Sequence, residues 1–359
     1  MRLRCVVNDI FALMKPVLGI LLLFGFSLQA QIGGRSVYQF LNIVPSARVA
    51  AQGGNAIANP EADLNFALWN PSLLNSEMHN QVSISMIDYL SDITLGDVSY
   101  SRHYDSIGTF YVGLRYLDYG DFDRRDVLGI DQGDFSASEL ALTVGYGYQL
   151  DTNWSFGANL KYIYSQFDAL SSSGMAVDLA ATYQIPQKRL VFALVAKNVG
   201  LQFTPYEDER ENLPFELQFG ISNRFEHLPL RWQITFEQLE TFDLRYNDPR
   251  NQVVNQLTGE VEDNSPGMIN NILRHMVLGV ELAPTRGLDL QFGYNFRKRQ
   301  ELNLDTRRTA AGFSFGLGIR ISKFKINYAR NAYHVAGAAN HFSITTNLGD
   351  FKRKNGAKD

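Results

Sequence analysis

The 359-residue chain has a single cysteine, Cys5, and it precedes the segment that reads as a cleaved leader. The exported chain therefore has no cysteine, which excludes a disulfide framework and any thiolate metal centre or redox pair. Charge of one sign is missing too: 33 Lys+Arg face 37 Asp+Glu, a net charge of -4, with no basic stripe for nucleic acid. Past the leader, no stretch approaches the roughly 20 apolar residues of a membrane helix. The six histidines (His79, His103, His227, His275, His334 and His341) are scattered, and none has a serine or carboxylate at a catalytic spacing. "YEDERE" (Tyr206 to Glu211) is acidic but lacks the alternating oxygens and central glycine of a calcium loop. Nothing here supplies an enzyme's machinery, and no cofactor or metal ligand set is expected.

The leader is "MKPVLGILLLFGFSLQAQ", starting at Met14. A lysine, a short apolar run and small Ala30 form a secretory signal peptide, with cleavage expected after Ala30 and Met14 expected as the initiator. Residues 1–30 are thus assigned to export.

What the chain has in abundance is alternation. Aromatic residues make up 12%, with 17 Tyr and 24 Phe, and there are 29 Gly. From Leu140 to Leu150 every second residue is apolar, with Thr143, Gly145 and Gly147 between. The pattern resumes from Trp154 to Tyr164, against Ser155, Gly157, Asn159 and Lys161. Near the end, "GFSFGLGIRISKFKINYA" makes a hairpin with one greasy face and one of Gly, Arg and Lys. A period of two marks a strand with unlike faces, and about fourteen such rows run from residue 81 to 349.

The connections alternate as well. Six are tight, at Asp105-Ser106, 151–153, 186–189, 225–229, 284–286 and Ser322-Lys323. Those between them are longer and polar: 118–137, 167–174, 199–214, 239–273, 298–309 and 333–340, with only 91–94 short. Short turns at one end and long loops at the other predict an all-β fold, a closed antiparallel transmembrane barrel of about 14 strands. A soluble β-sandwich would alternate too, but would not place every long loop at one end. Hydrocarbon demands that every backbone group pair, so the apolar rows face lipid. Lys161, Arg231, Gln233, Glu281, Asp289, Asn295, Arg320, Lys325 and Asn327 then face the lumen, where the glycines leave room or permit bending.

Residues 31–80 do not alternate. Short helical signals, a Gly53-Gly54 turn and an Asn70-Pro71 break predict a hatch-like segment that plugs the lumen or packs inside the wall. Residues 350–359 form a polar tail. In "ARVAAQGG…D…NPSLL", Arg48, Gly53, Gly54, Asp63, Asn70 and Pro71 resemble the entry segment of the FadL/PorV-like outer-membrane proteins, a family of fourteen-stranded barrels with an N-terminal hatch. "MHNQVSISMIDYLSDITLGDVSYSRHYDSIGTFYVGLRYLDYGDFDRRD" and "GANLKYIYSQFDALSSSGMAVDLAATY" resemble the PorQ-type members, components of the type IX secretion system of Bacteroidetes.

That resemblance implies a non-catalytic component in the outer membrane of a Gram-negative, Bacteroidetes-type cell. It would anchor a surface complex that attaches cargo to lipopolysaccharide, with PorZ as the expected direct partner and PorU and PorV in the same complex. The competing class is a FadL-like transporter of hydrophobic small molecules, which would need an apolar cavity and a movable hatch. If the barrel docks partners, loops 119–137, 199–214 and 239–273 are the places, with Tyr119, Phe122, Arg124, Tyr206, Tyr246 and Arg250 as anchors.

Overall fold

The computed structural model describes residues 36–89, 93–245, 253–254, 261–262, 267–302, 310–334 and 337–351. Residues 1–35, which include the expected signal peptide, together with Tyr246, Arg250 and residues 352–359, lie outside them. Nine strands run in antiparallel succession: β1 (Gln81–Asp88), β2 (Thr94–Tyr104), β3 (Gly108–Arg125), β4 (Asp131–Gln149), β5 (Trp154–Phe167), β6 (Leu170–Ile185), β7 (Leu190–Thr204), β8 (Glu216–Arg224) and β9 (Leu230–Phe236). A two-residue ladder, β10 (Val253–Val254) with β11 (Val261–Glu262), stands apart from them. The wall continues with β12 (Met276–Thr285), β13 (Leu288–Asn295), β14 (Phe313–Ile321), β15 (Phe324–His334) and β16 (Gly337–Asn347). β12 pairs with β9 and β16 with β1, so fourteen strands close into a barrel without an edge.

The alternation sorts the two faces as the sequence requires. In the β14–β15 hairpin Ile321 pairs with Phe324, Ile319 with Ile326 and Leu317 with Tyr328. Phe315, Ile319, Ile321 and Ile326 are exposed to the lipid side, while Ser314, Gly318 and Asn327 are buried. Ser322 takes a positive φ of 53° to close the two-residue turn. Aromatic clusters ring both ends of the apolar band. Phe110–Tyr146 and Trp154–Tyr183 lie 4.8 and 4.7 Å apart at the short-turn end, and Tyr294–Phe313 lie 4.8 Å apart at the other. Apolar bands between aromatic girdles belong to outer-membrane barrels, whose short turns lie in the periplasm. The chain is accordingly an outer-membrane barrel with its short turns on the periplasmic side.

Four expected loops are corrected. β3 and β4 stay paired as far as Arg125 and Asp131, β5 and β6 as far as Phe167 and Leu170, β15 and β16 as far as His334 and Gly337, and β7 runs to Thr204. Residues 119–137 are therefore a ladder that projects beyond the barrel. Above the hydrocarbon an outward side chain no longer has to be apolar, so alternation fades while backbone pairing continues.

Candidate functional site

Residues 36–80 pack against the luminal face of the strands, and short capped turns explain their lack of periodicity. Ser46 caps Ala47–Ala50, accepting from the Val49 N–H at 3.3 Å. Gly53 and Gly54, with φ of 91° and 88°, turn the chain out of that helix. Asp63 caps Leu64–Ala67 through the Asn65 N–H at 3.0 Å. Asn70 caps the Pro71–Leu73 turn, accepting from the Ser72 N–H at 3.0 Å.

The same side chains tie the segment to the wall. Arg48 is 1% exposed and carries the largest concentration of charge. Its guanidinium donates to Asp63 at 2.7 Å, to Glu61, and to Glu281 of β12, and it lies 4.7 Å over the Phe66 ring. Gln52 and Asn59 also donate to Glu281, at 3.1 and 3.3 Å. Lys325 of β15 reaches Asp289 at 2.9 Å and lies 3.9 Å from Asp63. Burial alone would raise the Glu61 carboxyl, but Arg48, with Arg231 behind it, lowers it to about 2. Elsewhere Asn70 donates to the Ile57 carbonyl at 2.7 Å and to Thr182 of β6 at 3.2 Å. Asn65 donates to Thr345 at 2.9 Å and accepts from Ser83 at 3.0 Å. The Ala47 N–H reaches Ser343 at 2.8 Å.

Luminal glycines admit this backbone. A Cβ on Gly157 would stand 2.2 Å from the Pro71 carbonyl carbon, and one on Gly293 2.0 Å from the Gly53 nitrogen. On Gly147 it would meet Leu74 at 2.5 Å. These glycines leave room, as expected, and the room is taken by the backbone of the segment. One apolar cluster sets Ala47, Val49, Ala50, Ile57, Phe66, Trp69 and Leu73 against Ala180, Val191, Ala193, Val195 and Ala329 of the wall, and two more gather around Phe40 and Leu41 and around Leu64 and Met78.

A second knot of charge lies where β7 bulges. Asn198 takes φ 57°, and its N–H and the Lys161 ammonium both reach Asp178, each at 2.8 Å. Lys197 places its ammonium 3.4 Å from the Trp69 ring centre. Trp69 donates to Asn55 at 3.3 Å. Glu61, Trp69 and Lys197 were not singled out by motif; only the luminal parity of Lys197 hints at its role.

Of the six motif residues Arg48 and Asp63 meet each other, while Gly53 and Gly54 form a turn against β12 and β13 and Asn70 and Pro71 cap and contact β4, β5 and β6. The extracellular anchors separate into two groups. Tyr119 and Tyr206 are half-buried: Tyr119 donates to Glu139 at 2.6 Å, Tyr206 bonds Ser165, and Phe167 lies between them at 5.4 and 5.7 Å. They close the mouth from inside and are not free anchors. Phe122 is exposed and stacks on Phe135 at 5.1 Å, while Arg124 is paired with Asp168.

Among the described residues the histidines are not assembled into a site. His79 bonds the backbone of His103, His275 bonds the Glu237 carbonyl at 2.8 Å, and His341 is buried in β16. Among the described residues no three His, Cys, Asp or Glu side chains are grouped to hold a metal. At the periplasmic mouth a cavity of about 330 Å³ is lined by Arg48, Asp63, Arg320, Lys325 and neighbouring polar groups, not by an apolar surface.

Residues 29–191, rather less than half of the chain, match the family model of the type IX secretion system protein PorV. No curated protein matches the chain. Among solved structures, the Pseudomonas putida toluene transporter TodX is 15% identical over 84% of this chain and 96% of its own, with a TM-score of 0.48. A Pseudomonas aeruginosa FadL homologue is 10% identical over 88% of this chain and 100% of its own, also with a TM-score of 0.48. A monoaromatic hydrocarbon channel, CymD, is 12% identical over 85% and 97%, again at 0.48. At these identities and scores the likenesses carry no inference about what this chain binds.

Proposed function

We propose that this chain is a non-catalytic outer-membrane component of the type IX protein secretion system, of PorQ type. On this reading it anchors a surface complex that attaches cargo, by binding PorZ, with PorU and PorV in the same complex. The observation that carries the reading is the filled lumen. Residues 36–80 are fastened to the wall through Arg48, Asn65, Asn70 and a set of glycine contacts, which suits a scaffold better than a conduit. The family match over residues 29–191 and the PorQ-like stretches at 78–126 and 157–183 support the same reading.

Uptake of hydrophobic small molecules is the alternative. It would require the luminal segment to move and an apolar path to open past Arg48 and its carboxylates, a step that breaks buried ion pairs. Deleting the gene and quantifying the surface proteome separates the two. Joint loss of many surface proteins that share a C-terminal sorting domain supports the secretion role. An unchanged surface proteome with lost uptake of one class of apolar compound would replace it with transport.

A further inference from the structure

The β3–β4 ladder outside the barrel is an unusual element. Pairing of β3 with β2 ends at Asp118 with Thr94, and that of β4 with β5 ends at Ala137 with Phe167. Beyond these points β3 and β4 pair with each other alone, through Asp121–Ser136, Phe122–Phe135, Asp123–Asp134 and Arg125–Asp131. On the β4 side the Asp168 N–H still covers the Ser136 carbonyl at 3.1 Å. On the β3 side, among the described residues, no strand pairs with 119–125. Beside it, pairing of β1 with β2 ends at Asp88 with Thr94, next to the bond from the Tyr89 N–H to the Ile93 carbonyl at 3.0 Å. Among the described residues the ladder thus presents an open backbone edge on its β3 side.

Two further features give this edge a direction. A bulge at Tyr119–Gly120, with Gly120 at φ 78°, turns Phe122 and Phe135 onto the face that continues the luminal row and Asp121 onto the outer face. The tip carries Val127, Leu128 and Ile130, 102%, 80% and 57% exposed. Charge along an edge commonly guards against pairing, but a guarded edge has no use for three apolar residues at its end. The charge is also lopsided: between residues 119 and 136 five aspartates face Arg124 and Arg125. Both arginines are already paired, with Asp168 and Asp123.

From these observations, and resting on the secretion reading above, we propose that the projecting hairpin is a docking arm. It takes an extended basic segment of a partner protein along the open β3 edge, while the Val127–Ile130 tip enters an apolar recess of that partner. Strand addition supplies the missing backbone partners, and alternate side chains read the aspartates. The excess of carboxylates disfavours a second copy of this chain, whose arm would carry the same charge.

The test uses the full chain in lipid nanodiscs and three fluorescent nine-residue peptides: alternating lysine and valine, alternating glutamate and valine, and the lysine peptide N-methylated at every residue. Only the unmodified lysine peptide should bind, and the D121K/D123K variant should weaken it at least tenfold. Equal binding of the glutamate or N-methylated peptide, or of the variant, overturns strand addition. In cells, a photo-crosslinker at Leu128 should give one adduct that D121K/D123K abolishes. An adduct of twice the chain's mass, no adduct, or one indifferent to the charge change overturns the arm. Both variants lie outside the barrel, so its heat-modifiable gel mobility reports that it has folded. If gene deletion leaves the surface proteome intact, the secretion reading falls, while peptide binding still judges the arm. If deletion abolishes surface display and D121K/D123K does not, the arm alone falls.

Discussion

Replacing Arg48 with methionine removes one guanidinium from three carboxylates while keeping its bulk. Asp63 and Glu281, 5% and 3% exposed in their side chains, are then left without their main cation. Breaking a buried pair from one side costs about 3–5 kcal/mol. Glu61 is 31% exposed and Arg231 and Lys325 remain nearby, so the lower end applies. Because each 1.4 kcal/mol is about tenfold, the luminal segment should open roughly a hundred times more often. Hydrogen exchange of amides 47–74, measured in nanodiscs, reads that opening directly. Arg48→Lys should recover little, since one ammonium cannot span three carboxylates. The pH dependence has a definite sign. The Glu61 carboxyl is held at about 2, below its ordinary 4.5, so its contribution is present above pH ~4.5 and lost as pH falls toward 2. The parent's protection factors, with the intrinsic pH dependence of exchange divided out, should therefore be alike at pH 7 and pH 5, whereas acidification toward pH 2 should narrow the deficit of the methionine variant. Exchange over 47–74 within about threefold of the parent at pH 7 would refute the reasoning.

Gly157→Ala sets a methyl group against the Pro71 backbone and should cost about 1–3 kcal/mol of docking, measurable as protease sensitivity of 36–80; Gly96→Ala, whose Cβ meets nothing within 4 Å, should be silent. Leu142→Arg, in the middle of the lipid-facing row, should lower barrel stability in urea refolding by about 2–4 kcal/mol, against about 0–1 for Ile321→Arg at the rim. Burial raises the Glu240 carboxyl to about 7, opposed by the bond it accepts from the Leu217 N–H at 2.9 Å. Order around Leu217 should therefore be greatest below pH ~4.5 and decline as pH rises through 7, and Glu240→Gln should flatten that profile in hydrogen exchange.

The wall was readable because lipid enforces a rule on every second residue: Leu140 to Leu150 and Trp154 to Tyr164 read as two-faced strands, and the one-ended loops set the barrel apart from a sandwich. Arg48 and Glu281 were each legible as a motif member and a luminal side chain, but their meeting, 233 residues apart, was not. Gly147 and Gly157 were legible as leaving room or permitting a bend, but a glycine does not say which backbone approaches it. The extent of β3 and β4 escaped for the opposite reason. Backbone pairing carries no side-chain signature once both faces are wet, so Tyr119 to Ser136 reads as loop.

The luminal segment also constrains the order of assembly. Its first helix bonds Ser343, 296 residues later, while its Asn70 bonds Thr182 in the middle of the chain. Residues translated early thus acquire their last partners only when β16 arrives to meet β1. Closure of the barrel and seating of the segment become a single event, and a wall that seals on an empty interior would strand Glu281 and the glycine hollows without their counterparts. Residues 36–80 and the closing strands thus complete one another, each leaving buried polar groups of the other without partners when absent.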